Sequence, residues 1–220
     1  MKILDLWSGT GSATKVWEEA GHEVVTVDYN KKFNPTICKD IIDVTYEELK
    51  ILGPFDFIWA SPDCRVYSIA SGFSNWVKND GYAQPITAKS FEANKRLLHT
   101  TYLINKLNPT YWVLENPRGM MRKVNFMEKY DRHTISYCKY GDDRMKPTDL
   151  WGVFPRGFIP KMCKNHKFDE EGNIIDRKCH HEKARRGAKT GTQGLDKDDR
   201  SRIPFDLTLE LYGLIKYGEN

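Results

Sequence analysis

The stretch Asp5-Leu6-Trp7-Ser8-Gly9-Thr10-Gly11 decides the fold that we expect for this chain. A short apolar run over residues 3–6 leads into it, and a helical pattern follows over residues 12–20, closed by Gly21. Glycine permits a tight turn and lets the backbone approach a ligand closely. The stretch therefore predicts a β-strand that turns over two glycines into an α-helix.

Strands and helices continue to alternate after this turn. β-Branched and aromatic runs predict further strands at residues 23–27, 36–39, 55–60, 111–114, 133–137 and 149–153. Helical periodicity covers residues 90–107 and 205–217. The polar, Gly-rich residues 65–87 predict a long loop with a short helix near residues 73–76. The alternation predicts an α/β protein with a doubly wound, mostly parallel sheet.

Length and composition limit the class of protein. The chain has 220 residues, 40% of them apolar, which suffices for one domain with a small appendage. It has no run of 18 apolar residues, so we expect no membrane span, and Asp5 comes too early for a signal peptide. Five irregularly spaced cysteines argue against a disulfide framework and predict a reducing, cytoplasmic location.

Positive charge is concentrated near the C-terminus. Residues 156–202 hold 13 Lys and Arg against 8 Asp and Glu, whereas the whole chain has a net charge of +4. The rest of the chain is therefore close to neutral. The basic segment predicts contact with a polyanion, although a solvated surface loop explains the charge equally well.

The unusual residue clusters all fall where a predicted strand ends. They are residues 9–11, Asp28, Asp40, residues 62–64 and residues 115–117. In open α/β sheets, ligands bind at the carboxyl ends of the strands. We therefore expect these clusters to form one site.

The first two clusters indicate a cofactor that contains a nucleoside. Asp28 lies 19 residues after Gly9 at the end of the next strand, where a carboxylate can hold two ribose hydroxyls. The dinucleotide fingerprint requires Gly or Ala where this chain has Thr14. Asp5, just before the turn, suits the cationic methionyl end of S-adenosylmethionine. The residues thus favour S-adenosylmethionine over NAD.

Two later motifs complete a recognisable pattern. Ser61-Pro62-Asp63-Cys64 and Leu114-Glu115-Asn116-Pro117, together with the glycine turn, resemble the DNA (cytosine-5) methyltransferase family, especially its compact phage-type members. The turn matches the family's Asp-Leu-Phe-x-Gly-x-Gly motif, Cys64 its Pro-Cys motif and Glu115-Asn116 its Glu-Asn-Val motif. Tyr140-Gly141 and Arg144 resemble the start of a later basic motif. The resemblance covers roughly residues 1–150.

The resemblance implies a Rossmann-like S-adenosylmethionine-dependent methyltransferase fold and methylation of C5 of a flipped-out cytosine in double-stranded DNA. Cys64 would be the nucleophile that attacks C6, Glu115 would hold the base, and Arg144 would supply positive charge. It implies neither a membrane nor an obligate protein partner. The residues expected to bind the cofactor are Asp5, Trp7, Gly9, Gly11, Asp28, Tyr29, Asp40 and Pro62.

The expected division of the chain follows. Residues 1–154 would form the S-adenosylmethionine-binding catalytic domain and residues 155–202 a small basic target-recognition segment. Residues 203–220 would form a C-terminal helix that packs back on the catalytic domain. DNA contacts are expected from Arg65, Lys183, Arg185, Arg186, Lys189 and Gln193.

Two departures from the family pattern affect the reacting end. Asp63 stands where the family has Pro, and a carboxylate beside a thiol raises the pKa of that thiol unless Arg65 compensates or Asp63 points away. The family's Gln-x-Arg-x-Arg motif is also absent. Residues 141–147 stand in its place, and there Arg144 and Lys146 offer positive charge.

Several alternatives remain open. The acceptor base could lie in RNA, or the protein could bind DNA without methylating it. An amino-methyltransferase would need a second Pro and an aromatic residue after Ser61-Pro62, and these are missing. We expect no metal as the default, although a zinc site is conceivable from the spacing of Cys163, His166, Cys179 and His180.

Overall fold

The computed structural model describes residues 1–69, 74–164, 166–168, 170–171, 174–177, 179–181 and 195–218. Its strands are β1 (Lys2–Leu6), β2 (Glu23–Asp28), β3 (Ile37–Cys38), β4 (Phe57–Ala60), β5 (Trp76–Asn79), β6 (Tyr82–Pro85), β7 (Tyr111–Pro117), β8 (Arg132–Ser136), β9 (Pro147–Val153), β10 (His166–Phe168) and β11 (Ile174–Arg177). Its α-helices are α1 (Lys15–Glu19), α2 (Tyr46–Leu52), α3 (Ala88–Leu107), α4 (Lys197–Ser201) and α5 (Phe205–Tyr217).

Seven strands form the central sheet in the order β3-β2-β1-β4-β7-β9-β8. The first five are parallel, and β9 runs antiparallel to both of its neighbours. The order reverses direction at β1, so the crevice at the carboxyl ends of β1 and β4 is where such a sheet binds a ligand. The predicted doubly wound, mostly parallel sheet is confirmed.

Apolar side chains alternate between the two faces of the sheet, and each face is covered by helices. Leu4 and Leu6 of β1 face α2 and α3, whereas Ile3 faces α1 and α5. On the second face, the indole ring of Trp17 in α1 stacks on Phe57 in β4 with ring centroids 4.9 Å apart. Helix α5 packs on this same cluster, which fastens the C-terminal end of the described chain to the sheet.

The predicted long loop over residues 65–87 is wrong in its second half. Residues 76–85 form the β5–β6 hairpin, whose turn contains Asp80 and Gly81 with φ angles of 50° and 84°. An Asp-Gly pair with both φ angles positive is the favoured two-residue hairpin turn. Trp76 anchors the hairpin, because its ring is buried against Tyr67 and its indole N–H donates to the Val66 carbonyl at 2.7 Å.

Other elements also differ from the sequence prediction, and among them β10, β11 and α4 were not predicted. Helix α2 was not predicted; Thr45 caps its N-terminus by accepting a hydrogen bond from the Glu48 N–H at 3.1 Å. Strand β7 continues through Glu115 and Asn116, which were expected to follow it, because β9 pairs with it up to Pro117. Among the described residues, no helix combines the length and apolar character needed to cross a membrane.

Candidate active site

The glycine turn after β1 is held in left-handed backbone conformations. Gly9 and Gly11 have φ angles of 49° and 70°, which glycine adopts without the strain that a Cβ would bring. Trp7 also has a positive φ, 66°, and its indole N–H donates to the Thr100 hydroxyl at 3.1 Å. The turn therefore depends on its glycines, and Trp7 is fastened to α3.

Asp28 fastens the turn to the end of β2. Its carboxylate accepts hydrogen bonds from the backbone N–H groups of Gly9, at 2.9 Å, and Asn30, at 2.8 Å. Asp28 is buried, so these two bonds fix the direction of its carboxylate. The predicted neighbourhood of the glycine turn and this acid is therefore observed.

Asp5 lies beneath the same turn and is completely buried. Its Oδ2 accepts a hydrogen bond from the Thr14 hydroxyl at 2.9 Å, and its Oδ1 has no partner among the described residues. Burial raises the pKa of Asp5 to about 8, despite the hydrogen bond from Thr14. The unsatisfied oxygen requires a partner, and a cation beside it would favour the charged form of Asp5 and lower this pKa.

A cleft of about 790 Å³ opens beside the turn. Four residues predicted to bind the cofactor line it, namely Trp7, Tyr29, Asp40 and Pro62. Asp40 pairs there with Arg96, whose Nη2 lies 2.7 Å from Asp40 Oδ2. The hydrogen bonds from Arg96 hold the pKa of Asp40 below its usual value. The volume is in the range of small-molecule sites.

Cys64 lies in the loop after β4, next to this cleft, and is half-buried. Burial raises the pKa of its thiol, the Glu115 carboxylate raises it further, and the positive charge of Lys146 lowers it. The adjacent Asp63 accepts hydrogen bonds from the Arg65 backbone N–H at 2.9 Å and from its Nε at 2.7 Å. Burial raises the pKa of Asp63, but the bonds from Arg65 outweigh it, so the net shift is downward. Arg65 therefore pairs with Asp63, but the charge of Asp63 still contributes to the raised pKa of Cys64.

Glu115 and Asn116 lie at the end of β7 and face the Cys64 loop. Glu115 is buried, and its Oε1 accepts a hydrogen bond from the Tyr137 hydroxyl at 2.8 Å. The Asn116 amide donates to the Pro62 carbonyl at 2.8 Å. This bond joins the two motifs, so the loop that carries Cys64 and the strand that carries Glu115 are positioned together.

The charge of Lys146, and not that of Arg144, acts on the pKa of Cys64, and the Lys146 Nζ donates to the Arg200 carbonyl at 3.2 Å. Arg144 forms an ion pair with Asp142 and donates to the Arg200 carbonyl at 2.9 Å. Burial lowers the pKa of Lys146, whereas the charges of Glu115 and Cys64 act in the opposite direction. A catalytic role for Arg144 remains a prediction.

The remaining predicted residues either lie outside the described residues or have neighbours other than those expected. Lys183, Arg185, Arg186, Lys189 and Gln193 fall outside the described residues, so their DNA contacts remain predictions. The side chain of His166 is likewise not described. Of the other zinc candidates, Cys163 and Cys179 lie together, whereas His180 Nε2 lies 3.0 Å from the Asp142 carbonyl.

The chain is similar to a viral protein over nearly its whole length. A Frog virus 3 (isolate Goorha) protein named "Probable DNA (cytosine-5)-methyltransferase" is 29% identical to the chain over 222 residues, which cover 97% of the chain and 100% of that protein. The chain is a relative of the DNA (cytosine-5) methyltransferases. The resemblance inferred from the motifs is thereby confirmed.

A second protein is similar to this chain over a shorter stretch. The type II methyltransferase M.XorII of Xanthomonas oryzae pv. oryzae (strain KACC10331 / KXO85) is 26% identical over 133 residues, covering 53% of the chain and 28% of that protein. The chain thus spans all of the viral relative but little more than a quarter of the bacterial one. No protein-family model matches it.

Solved structures confirm the methyltransferase fold. A protein encoded within an E. coli prophage, described as a DNA modification methyltransferase, has a TM-score of 0.51 and 18% identity, over 74% of this chain and 52% of that one. The Entamoeba histolytica methyltransferase EhMeth has a TM-score of 0.50 and 16% identity, over 80% of this chain and 61% of that one. At these identities the likeness concerns the fold alone.

The sequence analysis gave no role to two residues of this candidate site, Tyr137 and Gly119, and named a third, Lys146, only beside Arg144. Tyr137 was expected at the end of a strand, with no role, although its hydroxyl contacts Glu115. Lys146 was considered only as a substitute for a missing motif. A Cβ on Gly119 would lie 2.2 Å from the Tyr67 carbonyl oxygen, so glycine is required where the segment after β7 touches the Cys64 loop. Each depends on contacts between distant segments, which local patterns do not reveal.

Proposed function

We propose that the protein is a DNA cytosine-5 methyltransferase that uses S-adenosylmethionine and forms a covalent adduct through Cys64. One observation carries the proposal: the Asn116 amide donates to the Pro62 carbonyl at 2.8 Å, which joins the strand that carries Glu115 to the loop that carries Cys64 beside the cleft. A thiol, a base-holding carboxylate and a positive charge are what addition to a cytosine ring requires. The name of the viral relative and the methyltransferase fold support the same reaction.

The residues around the cleft fit S-adenosylmethionine. The unsatisfied Asp5 Oδ1 beneath the turn suits a cationic cofactor, and the acids Asp28 and Asp40 suit hydroxyl and amino groups. Trp7 and Tyr29 offer aromatic surface, and the backbone of Gly9 and Gly11 permits close approach. When bound, S-adenosylmethionine supplies an electrophilic methyl group.

Cys64 provides the nucleophile of the proposed reaction. Cytosine C5 is a poor nucleophile, but a thiolate that adds to C6 pushes electron density onto C5. After C5 has been methylated, loss of the C5 proton and of the thiolate restores the aromatic ring. Because C6 is inaccessible in a stacked duplex, the cytosine must be flipped out, which costs a few kcal/mol.

Glu115, Tyr137 and Lys146 support that addition. Glu115 would hold N3 and the exocyclic amine of the cytosine, and the Tyr137 hydroxyl fixes the orientation of its carboxylate. Lys146 favours the thiolate form of Cys64, because a nearby positive charge lowers the pKa of a thiol. Its charge also offsets the negative charge that the thiolate delivers to the ring.

Double-stranded DNA is the proposed substrate. The names of the relatives support DNA, and the excess of Lys and Arg over residues 156–202 supports a polyanion. Arg65 is exposed beside Cys64, where it can face a phosphate while paired with Asp63. All five cysteines are outside disulfides, in keeping with the reducing, cytoplasmic location that we propose.

Methyl transfer from labelled S-adenosylmethionine tests the proposal. Duplex DNA, single-stranded DNA and RNA are incubated separately with the full chain, then digested, and the methylated nucleosides are identified by mass spectrometry. We expect 5-methylcytosine from duplex DNA, lost in Cys64→Ser and retained in the matched control Cys38→Ser. Labelled N4-methylcytosine, N6-methyladenine or product from RNA alone would contradict it, as would no transfer to any substrate.

A further inference from the structure

Four metal-ligating side chains lie together away from the cleft. They are Cys138, Cys163, Cys179 and His181, and their ligand atoms all lie within 4.8 Å of one another. Cys138 and Cys163 are buried, and the other two are half-buried. No disulfide joins any of these cysteines. Three thiols and an imidazole so close together need an explanation beyond apolar packing.

The geometry of the cluster agrees with a tetrahedral site. Zinc–sulfur bonds of about 2.3 Å and zinc–nitrogen bonds of about 2.0–2.1 Å place neighbouring ligand atoms roughly 3.5–3.8 Å apart. Cys163 Sγ lies 3.7 Å from His181 Nδ1. The side chains therefore require little movement to surround one ion.

Three separate segments supply the four ligands, and backbone contacts hold two of these segments together. Cys138 lies in the short 3-10 helix after β8. Cys163 is held beside it, because its backbone N–H donates to the Ser136 hydroxyl at 3.1 Å. Cys179 and His181 are two residues apart, a spacing that lets both side chains of an extended segment point the same way.

We propose that Cys138, Cys163, Cys179 and His181 bind a structural Zn²⁺ ion. Three thiolates and one imidazole are a ligand set of structural zinc sites, and four protein ligands leave no position open for catalysis. The set differs from the sequence candidates in two members: Cys138 joins it from a distant segment, and His181 takes the place of His180.

The position of the cluster defines what the ion does. Cys163 precedes β10, and Cys179 and His181 follow β11, so the ion closes the base of this two-stranded sheet. Cys138 directly follows Tyr137, whose hydroxyl contacts Glu115. The ion thus fastens the basic segment to the sheet beside the active site, immediately before residues 183–194.

Metal content tests the proposal without any activity measurement. The full chain, expressed with zinc and purified with reductant and without chelator, is analysed for all transition metals. We expect about one zinc per chain in the wild-type protein. Cys179→Ser or His181→Ala should lower the affinity for zinc by at least about 100-fold. His180→Ala and Cys38→Ser serve as matched controls that retain zinc, and His181→Cys retains it through a fourth thiolate.

Cobalt substitution guards against variants that fail to fold. We expect Co²⁺ added to the metal-free wild-type chain to give tetrahedral d–d bands and thiolate charge-transfer bands, both removed by stoichiometric zinc. Protein that carries no metal and gives no such spectrum would overturn the proposal. So would bound iron in place of zinc, or a disulfide among these cysteines in protein purified with reductant.

Discussion

The two ends of the site are built in different ways. At the cofactor end, the turn of residues 5–11 and Asp28 come from the first β-α-β unit, and backbone N–H groups fix the acid. The reacting end is drawn from four separate segments. Cys64 follows β4, and Glu115 lies near the end of β7. Tyr137 follows β8, and Lys146 precedes β9. The first end is assembled by neighbouring residues, and the second exists only once the sheet has formed.

This difference determines how each end responds to change. The acids at the cofactor end each have fixed partners, so a single substitution there removes one of several binding contacts. The groups at the reacting end share one electrostatic environment, in which Glu115 and Lys146 act in opposite directions on the pKa of Cys64. Substitutions at the reacting end are therefore expected to have larger effects on turnover.

Cys64→Ser is expected to give the largest effect. A serine hydroxyl is far less acidic than a thiol and adds poorly to C6, so methyl transfer should fall by at least about 10⁴-fold. Binding of S-adenosylmethionine, measured by calorimetry, should stay within about twofold, because Cys64 itself does not line the cleft. Substantial turnover by this variant would remove Cys64 from the mechanism.

Glu115→Gln comes next, with an expected loss of about 100- to 1000-fold in kcat. The amide keeps the size of the side chain but cannot give N3 the proton that a carboxyl group supplies as negative charge develops on the ring. Steady-state kinetics on duplex DNA measure this effect.

Tyr137→Phe, which removes one hydrogen bond to Glu115, should lower kcat by about tenfold in the same assay. Equal losses in both variants would mean that the carboxylate acts only through its contact with Tyr137.

Lys146→Met is expected to lower kcat/KM by about 10- to 100-fold near neutral pH. The reactive form of Cys64 is the thiolate, and the pKa of this thiol is raised, so activity should climb as the pH rises toward that pKa. Removal of the Lys146 charge raises the pKa further and moves the rise to higher pH. The pKa of Cys64 is measured from the rate of its alkylation by iodoacetamide as a function of pH. The same pKa in Lys146→Met and the wild type would contradict the role of Lys146.

Asp40→Asn tests the cofactor end and should have the smallest effect. Loss of one charge from the cleft, together with its bonds from Arg96, should raise the dissociation constant of S-adenosylmethionine by about 3- to 10-fold. The kcat should change little. Glu48→Gln, an acid paired with Lys39 that does not line the cleft, is the matched control. A large fall in kcat would show that the two ends are less separate than the structure indicates.

The sequence predicted the local fold around the glycine turn. A strand, a glycine turn, a helix and an acid at the next strand end form a local pattern, and residues 3–28 fold as that pattern indicates. The strands of the sheet were found for the same reason, because each is a short buried run bounded by turn residues. The β5–β6 hairpin was missed although Asp80-Gly81 is a recognised turn signal, since its flanking residues are mostly polar.

The reacting end was predicted in its motifs but not in its electrostatics. Cys64 and Glu115 were found because each belongs to a recognisable motif. The pairing of Arg144 with Asp142, and the position of Lys146 Nζ 4.4 Å from the centre of the Tyr137 ring, could not be derived from the local sequence. The proposed metal ligands could not be predicted from local patterns either. Cys138 lies 25 residues before Cys163, and contacts around Ser136 bring the two together.

Covalent trapping on duplex DNA that contains 5-fluorocytosine tests the central claim most directly. Fluorine at C5 cannot leave as a proton does, so an enzyme that attacks C6 stays attached to the DNA through denaturing electrophoresis. The account predicts an adduct that requires S-adenosylmethionine, forms with Cys38→Ser and is absent with Cys64→Ser. No adduct from protein shown separately to bind both cofactor and DNA, or an adduct that persists in Cys64→Ser, would contradict it.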